Sequence, residues 1–351
     1  MDISLAKNKM LAAVLYGKEL VKVEPVAVPD VGPGDVLVRV KAALTCGTDV
    51  KVFRRGYHAR MIVPPALFGH ELAGDVVAIG EGVRHLRVGQ RIVAANSAPC
   101  GQCFYCQKNV ENLCENLLFN NGAYAEYIRI PSRIVERNTH ILPTHVSYQD
   151  AALAEPLACV LRGVDETRIN PGDNVVVIGL GPIGLMFVRV AALRGARVIA
   201  VGRRQMQLDR AAALGAQVLL TADDSLNVVT AVRDVTKDHG ADVAIEAVGS
   251  PRTWQEAVQM VRRGGTVNFF GGCPNDTTVP IDTSHLHYSE ITLKASFHHT
   301  PAHIKAALEM IAAGHVTARQ FVNSEEPLTK LLEVFKHLMS HNGHLKTAII
   351  P

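Results

Sequence analysis

The sequence lacks the features that would indicate a membrane or nucleic-acid partner. No stretch approaches the roughly 18 consecutive apolar residues that a membrane-spanning helix needs. The formal net charge is only +3, which gives no reason to expect binding to nucleic acid or to an anionic membrane. The first residues contain no long apolar core followed by a small-residue cleavage site, so a secretory signal is not expected.

The length of 351 residues indicates two domains. Internal repeats and low-complexity linkers are also lacking, so we expect these domains to be closely packed. In the first third, Val36, Val38 and Val40 recur with the period of a half-buried strand. From about residue 172, short apolar runs alternate with helix-length segments, which predicts an α/β fold with a doubly wound parallel sheet. After residue 297 we expect two helices and a final apolar strand.

A glycine-rich loop follows the first of these apolar runs. Gly179, Gly181 and Gly184 stand at G-x-G-x-x-G spacing, with Pro182 and Ile183 between the last two. The first glycine permits a tight turn, the second lets the backbone approach a pyrophosphate, and the third lets the helix pack on the strand. Because free N–H groups at the helix N-terminus bind phosphate, this loop predicts a dinucleotide site.

The acidic residue that usually follows such a loop is missing. Gly202 stands at the end of the second strand, where an acidic side chain would bind the ribose hydroxyls and repel a 2′-phosphate. We interpret the glycine as leaving room for that phosphate. Arg203 and Arg204 come next, and their guanidinium groups suit phosphate. The segment predicts NADP(H), with NAD(H) as the alternative if both arginines are only a solvated turn.

Four of the seven cysteines crowd into one short segment. Cys100, Cys103, Cys106 and Cys114 form a C-x2-C-x2-C-x7-C array, which can close a tetrahedron around a structural zinc. An iron–sulfur cluster is the main rival, but the spacing lacks the ending typical of bacterial clusters. Metal ligation in a reducing cytoplasm fits these cysteines better than a disulfide framework.

A second set of possible ligands is dispersed along the chain. Cys46, His70, Glu71 and Glu155 each have an ordinary interpretation, as a core thiol, a core histidine or solvated carboxylates. The helical H-E-x-x-H motif is excluded because Gly74 stands where its second histidine would be. One thiolate, one imidazole and one carboxylate would nevertheless make a zinc site with an open fourth position, where zinc acts as a Lewis acid.

Together these motifs resemble the zinc-dependent medium-chain dehydrogenase/reductase superfamily, particularly its sorbitol (polyol) and threonine dehydrogenase branches. The resemblance covers essentially the whole chain. It implies a mostly-β, GroES-like catalytic domain at residues 1–157 and 297–351, with a structural zinc lobe at 96–118. It also implies a Rossmann domain at residues 158–296, two zinc ions per chain, and a homotetramer or homodimer.

The resemblance also assigns site residues. Cys46, His70 and Glu155 fall at the catalytic zinc positions, and Glu71 at an adjacent glutamate that is a ligand or a nearby exchanging group in relatives. Thr48 matches the residue whose hydroxyl contacts the substrate oxygen and starts a proton relay.

Other positions bear on the cofactor and the substrate. Val248 is expected beside the cofactor, and His298 and His299 fall near the segment that lines the substrate cleft in polyol relatives, although both could be ordinary surface histidines. Two departures from the family pattern matter. Lys51 replaces a histidine of the outer proton relay, and Gly202 replaces an aspartate, as in NADP-linked relatives.

We therefore expect hydride transfer between NADP(H) and a secondary alcohol or ketone. A polyol, sugar alcohol, cyclitol or amino alcohol would suit. The alternatives are an NAD-dependent sorbitol- or threonine-type dehydrogenase, a zinc-free quinone or enone reductase, and a nucleic-acid-binding zinc ribbon. The modest net charge and the absence of a basic stripe argue against the last.

Overall fold

The chain forms two structural units in the computed structural model, which describes residues 8–58, 61–223, 226–340 and 345–351. The first unit contains the described residues of Met1–Ala158 and His299–Pro351, and the second is Cys159–His298. The chain passes from the first unit to the second within one helix, Ala154–Thr167.

The first unit is built mainly from antiparallel strands. A seven-stranded sheet has the order β10-β6-β5-β3-β18-β17, with β9 also paired to β3, and smaller sheets pair β2-β1-β4 and β7-β8. The strands are β1 Lys9–Gly17, β2 Leu20–Ala27, β3 Val36–Leu44, β4 Ala66–Leu67, β5 Glu71–Ile79, β6 Arg91–Ala94, β7 Ser97–Ala98, β8 Leu118–Phe119, β9 Tyr127–Ile130, β10 Thr139–Ile141, β17 Val322–Pro327 and β18 Lys346–Ile350.

Short helices connect these strands. The α-helices that begin in this unit are α1 Gly47–Arg55, α2 Phe104–Gln107, α3 Ser132–Asn138, α4 Tyr148–Ala151, α5 Ala154–Thr167, α11 Pro301–Ala312, α12 Ala318–Phe321 and α13 Leu331–Met339, with 3-10 turns at Glu111–Leu113 and Leu328–Lys330. The expectation of two helices and one strand after residue 297 was therefore incomplete. Strand β17 runs parallel to β18 and forms an edge of the sheet, although its four consecutive polar residues, at positions 323–326, gave no apolar run.

Strand β3 is more deeply buried than its sequence pattern predicts. Val36, Val38 and Val40 pack in the main core cluster, as expected. Leu37, on the opposite face, is only 3% exposed and belongs to a second cluster with Met10. The half-buried pattern therefore holds at Arg39, which is exposed, and at Lys41, which is partly buried, but not at Leu37 or at residues 42–44, where β3 is buried on both faces. Strand β3 is also paired with β5, β9 and β18, and this pairing holds the end of β3 in place beside the candidate site.

The second unit is a parallel sheet with helices between its strands. Its order is β13-β12-β11-β14-β15-β16. The elements are β11 Asn174–Ile178, α6 Pro182–Leu193, β12 Arg197–Gly202, α7 Gln205–Ala213, β13 Ala216–Thr221, α8 Val228–Val235, β14 Ala241–Glu246, α9 Pro251–Met260, β15 Val261–Phe269, α10 Thr283–Tyr288 and β16 Thr292–Ala295. The strand–helix alternation expected from the sequence is confirmed.

The central strands of this sheet are apolar because both of their faces are covered. Val175, Val176 and Val177 of β11 are fully buried, as strands of a parallel sheet require. Strand order reverses around β11, so the glycine-rich loop after it lies at the carboxyl edge of the sheet, where doubly wound folds bind ligands. None of the described helices is both long and apolar enough to cross a membrane.

Candidate active site

The four clustered cysteines converge on one point. Their sulfur atoms all lie within 4.8 Å of one another. The Sγ–Sγ distances are 3.5 Å for Cys103–Cys106, 3.8 Å for Cys103–Cys114 and 4.0 Å for Cys100–Cys106. Four sulfurs held roughly 2.3 Å from a tetrahedral zinc would be about 3.8 Å apart, so the cluster has the dimensions of a closed zinc site.

The backbone around Cys100 favours the ionised form of its thiol. Gly101 adopts φ +79° and lies against the Arg137 guanidinium, whose Nη2 would be only 2.2 Å from an added Cβ. Hydrogen bonds from the backbone of Gln102 and Cys103 lower the pKa of Cys100 to about 6. A thiol that ionises this easily is a ready ligand, because it is the thiolate that binds metal.

Only some of the dispersed candidate zinc ligands lie close together. Ligand atoms of Cys46, His70 and Glu71 lie within 4.8 Å of one another. Cys46 follows β3 and caps helix α1, where its Sγ accepts a hydrogen bond from the Thr48 N–H at 3.4 Å. His70 and Glu71 stand where β5 begins, beside Gly69, whose φ of +90° lets the backbone pass close to the Tyr124 ring.

His70 is held by a carboxylate that the sequence analysis missed. Its Nδ1 is 2.8 Å from Asp49 Oδ1, and Tyr124 donates its hydroxyl to Asp49 Oδ2 at 2.6 Å. Burial lowers the pKa of His70, but the charges of Asp49 and Cys46 outweigh burial and raise that pKa well above its ordinary value. An Nδ1–H that donates to Asp49 leaves the Nε2 lone pair for a metal, the arrangement usual for metal-binding histidines.

Glu71 is paired with a lysine that the sequence analysis also missed. Lys346 Nζ lies 2.7 Å from Glu71 Oε1 and 2.6 Å from Oε2. Lys346 is 2% exposed and Glu71 is fully buried. Burial raises the pKa of Glu71, and the ammonium group of Lys346 partly opposes that rise.

Glu155 lies near this group but not within it. It occupies the first turn of helix α5 and is 8% exposed. Burial raises its pKa to about 7, while the charge of His70 acts to lower it. His299 is 3.8 Å from Glu155 Oε1 and 3.2 Å from Asn96 Oδ1 through the same Nε2 atom. His299 is therefore buried beside a predicted ligand and is not an ordinary surface histidine.

Three other predicted residues occupy different environments. Thr48 is half-buried in the first turn of helix α1, next to Cys46. Lys51 is exposed on the same helix. His298, the last residue of the second unit, is half-buried and adopts φ +67°.

The glycine-rich loop has the geometry that its spacing predicts. Gly179 adopts φ +93°, and an added Cβ would lie 2.5 Å from Cγ2 of Val248. Gly181 caps helix α6 with open space around its missing side chain, and Pro182 follows at the first helical position. An added Cβ on Gly184 would lie 1.7 Å from the Gly179 carbonyl oxygen, so the helix can pack on the turn only without that side chain.

The space beside Gly202 differs from our expectation. An added Cβ would lie only 2.6 Å from Cδ1 of Leu180, which is 2% exposed. The interpretation that Gly202 leaves room was therefore wrong along the direction of its missing side chain, because Leu180 fills that space. Arg203 is exposed and Arg204 is half-buried at the N-cap of helix α7. Within the described ranges, neither guanidinium forms a salt bridge.

Comparisons with known proteins agree with this geometry. Residues 32–139 match the family described as alcohol dehydrogenase GroES-like domain, and residues 182–313 match zinc-binding dehydrogenase. The chain is 29% identical to sorbitol dehydrogenase of Bacillus subtilis, over 98% of each chain. It is 33% identical to L-threonine 3-dehydrogenase of Pyrococcus horikoshii, over 75% of each. A zinc-binding dehydrogenase from Sinorhizobium meliloti, solved bound to NADP, is 31% identical with a TM-score of 0.89, and the match covers 98% of this chain and 99% of that one.

Proposed function

The chain belongs to the zinc-dependent medium-chain dehydrogenase family, and from this membership we propose that it transfers a hydride between NADP(H) and a secondary alcohol or ketone. A polyol, sugar alcohol, cyclitol or amino alcohol is the proposed substrate class, in keeping with the sorbitol and threonine dehydrogenases that it resembles. The observation that carries the proposal is the convergence of Cys46, His70 and Glu71 on one buried point, near Glu155.

The donor set fits a zinc ion with an open position. We propose Cys46 Sγ, His70 Nε2 and a Glu155 carboxylate oxygen as the ligands, with Glu71 beside them, and the four-cysteine lobe as a second, structural zinc site. A zinc ion bound there supplies a Lewis acid for the substrate oxygen, and the nicotinamide accepts or gives the hydride. A count of two zinc ions per chain would support this assignment.

Thr48 is the proposed first acceptor of the substrate hydroxyl proton. Its backbone N–H donates to Cys46 Sγ, which holds Thr48 in the first turn of helix α1, two residues from a proposed ligand. From Thr48 the proton must reach solvent. Lys51 is exposed on the same helix and does not replace a buried relay histidine, so a bound cofactor would have to supply the ribose hydroxyl that connects Thr48 to water.

Cofactor preference is proposed from the end of strand β12. Arg203 and Arg204 follow it, no acidic side chain stands at position 202, and a relative of known structure holds NADP. Hydrogen bonds to charged groups contribute about 1.5–3 kcal/mol each, so one or two would favour NADP over NAD by roughly tenfold to several hundredfold. Gly179, Gly181, Pro182, Ile183, Gly184, Gly202 and Val248 are the other proposed cofactor contacts.

Catalytic efficiency with both cofactors is the direct test. We expect kcat/KM to favour NADP in the unmodified enzyme. Replacing Arg203 and Arg204 by alanine should raise KM for NADP at least tenfold and leave KM for NAD nearly unchanged. Arg263→Ala, an exposed arginine near the amino end of β15, is the matched control and should change neither value. A preference for NAD in the unmodified enzyme would contradict the NADP proposal and favour the NAD-dependent alternative.

Two further properties concern the assembly and the compartment of the enzyme. We propose a homotetramer or homodimer from the family resemblance, to be tested by light scattering at several protein concentrations. We also propose a cytoplasmic enzyme, because none of the seven cysteines, all of which lie in the described residues, forms a disulfide, and four of them form a cluster of metal-ligand dimensions. Turnover without bound zinc would instead favour a zinc-free reductase.

A further inference from the structure

We propose that Glu246 is a positioning residue for the dinucleotide, because it holds together two turns that border the proposed cofactor site. The turns are residues 247–249, which follow strand β14, and residues 270–272, which follow strand β15. This inference rests on the proposed function, since it concerns the same cofactor site. The proposed hydride transfer itself gives the buried carboxylate of Glu246 no role.

Both turns lie at the carboxyl edge of the parallel sheet, beside the glycine-rich loop. Strand β14 pairs with β11 on one side and with β15 on the other, so the turns after these three strands are neighbours. The Ala247 N–H donates to the Ile178 carbonyl oxygen at 2.9 Å. An added Cβ on Gly179 would lie 2.5 Å from Val248 Cγ2. Because doubly wound folds bind ligands at this edge, the position of these turns shapes the surface offered to a dinucleotide.

The carboxylate of Glu246 binds the first turn. Glu246 is the last residue of β14 and is fully buried. Its Oε1 accepts hydrogen bonds from the N–H groups of Val248 and Gly249, both at 2.9 Å, and its Oε2 is 3.1 Å from the same Gly249 nitrogen. The Thr253 hydroxyl donates to Oε1 at 2.7 Å. Burial raises the pKa of Glu246, and these donors act to lower it. Hydrogen bonds to an ionised acceptor are the stronger ones, so the charge strengthens the hold on the turn.

The second turn is held by the same residue. The Glu246 carbonyl oxygen accepts hydrogen bonds from the N–H groups of Phe270, at 3.0 Å, and Gly271, at 2.8 Å. An added Cβ on Gly271 would lie 2.4 Å from the Gly249 nitrogen and 2.7 Å from Glu246 Oε2. An added Cβ on Gly249 would lie 2.4 Å from the Gly272 carbonyl oxygen. The two turns therefore pack directly on each other and on the carboxylate, and displacement of one must move the other.

The position of Glu246 also predicts which property of the cofactor it affects. Arg203 and Arg204 follow β12, and β11 separates that strand from β14. Glu246 acts on the turns after β14 and β15 and not on the proposed 2′-phosphate site. Loss of its charge should therefore weaken binding of NADP and of NAD by the same factor, whereas loss of the arginines should weaken binding of NADP alone.

Equilibrium binding of NADP and NAD to the intact enzyme tests the inference. Glu246→Gln keeps the size of the side chain and removes its charge. We expect Kd for both cofactors to rise by about fivefold or more, because bonds to a charged acceptor become bonds to a neutral one. The ratio of the two Kd values should stay the same. Hydrogen exchange of the amides in residues 247–249 and 270–272 should become faster in this variant.

Asp242→Asn is the matched control. Asp242 lies on the same strand, near its amino end, and accepts hydrogen bonds from Arg262 Nε at 2.6 Å and from the Asn174 N–H at 2.7 Å. Its replacement should lower Tm and leave both Kd values unchanged. Unchanged Kd values in Glu246→Gln would overturn the inference, and so would an equal rise in Asp242→Asn, which would show an effect of folding stability alone.

Thr253→Val keeps the inference testable if Glu246→Gln fails to fold. This variant keeps the shape of the side chain and removes one donor to Glu246 Oε1, so Kd for both cofactors should rise by about twofold to threefold. Unchanged Kd values would again overturn the role of Glu246. The unmodified enzyme separates this inference from the proposed function. If it binds neither cofactor, the proposed function fails, whereas equal binding by the unmodified enzyme and the variants contradicts only the role of Glu246.

Discussion

Asp49→Asn is the most informative perturbation of the proposed zinc site, because it changes one charge and almost no volume. Asp49 and His70 are 3% and 4% exposed, and their side chains are 2.8 Å apart. A carboxylate can only accept from Nδ1, which fixes the tautomer that presents a lone pair at Nε2. An asparagine amide can instead donate to Nδ1, and the proton then moves to Nε2, where it blocks a metal.

The size of the effect follows from this contact. Loss of an outer partner of a metal-binding histidine typically weakens metal binding by about 10–100-fold, or roughly 1.4–2.7 kcal/mol. Burial of both partners favours the upper half of this range, since little water is available to replace the lost charge. Tyr124→Phe leaves the Asp49 carboxylate in place and removes the 2.6 Å hydrogen bond to its Oδ2, together with a 3.2 Å hydrogen bond to the Leu44 carbonyl oxygen. It should weaken metal binding less, by about fivefold, because one hydrogen bond contributes about 1 kcal/mol.

Competition with a chelator measures this affinity directly. The zinc count per chain and the zinc affinity should be followed together, so that loss from the catalytic site is separated from loss from the four-cysteine lobe. Asp35→Asn is a suitable control, because Asp35 accepts a hydrogen bond from the Ser132 N–H at 2.9 Å away from the proposed ligands. If Asp49→Asn held its second zinc within about twofold of the original affinity, the proposed role of Asp49 in fixing His70 would be wrong.

The remaining predictions concern the two metal sites. Cys46→Ser should abolish turnover, lower the zinc count from two to one and leave folding and NADP binding intact. Near-normal activity of this variant would contradict the proposal that Cys46 is a ligand of the catalytic zinc. Cys103→Ser should lower Tm, because metal binding in the four-cysteine lobe contributes folding free energy, and full stability with two bound metals would contradict a structural site. Glu155, whose pKa burial raises to about 7, must lose its proton to bind metal. Below pH 7, zinc affinity of the metal-depleted enzyme should therefore fall more steeply than in Glu155→Gln, by about one further factor of ten per pH unit, because Cys46 and His70 lose protons to the metal in both proteins. Equal slopes in the two proteins would count against Glu155 as a ligand.

Much of the site could be predicted because its determinants are local. The spacing of Gly179 and Gly184 reflects a contact made within one turn, because an added Cβ on Gly184 would lie 1.7 Å from the Gly179 carbonyl oxygen. The four clustered cysteines lie within fifteen residues, from Cys100 to Cys114, so their convergence needs only a short loop. Local geometry of this kind can therefore be predicted from the spacing of residues along the chain.

The partners of the catalytic site could not be predicted, because they arrive through sheet pairing between distant strands. Lys346 is 275 residues from Glu71, and Tyr124 is 75 residues from Asp49. A lysine at the start of an apolar strand usually indicates a solvated strand end. Only the register of β18 beside β3 places it in the interior. Asp49 could have been identified from the sequence, because it stands three residues after Cys46, where one helical turn brings it near the thiol.

The packing of Leu180 against Gly202 could not be predicted from the cofactor-binding motif, and it leads to a final prediction. By its sequence, Gly202→Asp should convert the site to NAD, because the carboxylate would bind the ribose hydroxyls and repel a 2′-phosphate. In the structure, the new Cβ would lie 2.6 Å from Leu180 Cδ1, so Leu180 must move first. We expect Gly202→Ala, which adds only this crowding, to lower stability by about 1–3 kcal/mol. Gly202→Asp should share that loss, and Leu180→Ala in the same chain should relieve it and give the stronger preference for NAD. Thermal unfolding and the ratio of kcat/KM for the two cofactors measure both effects. A Gly202→Ala variant as stable as the unmodified enzyme would show that Leu180 yields without cost.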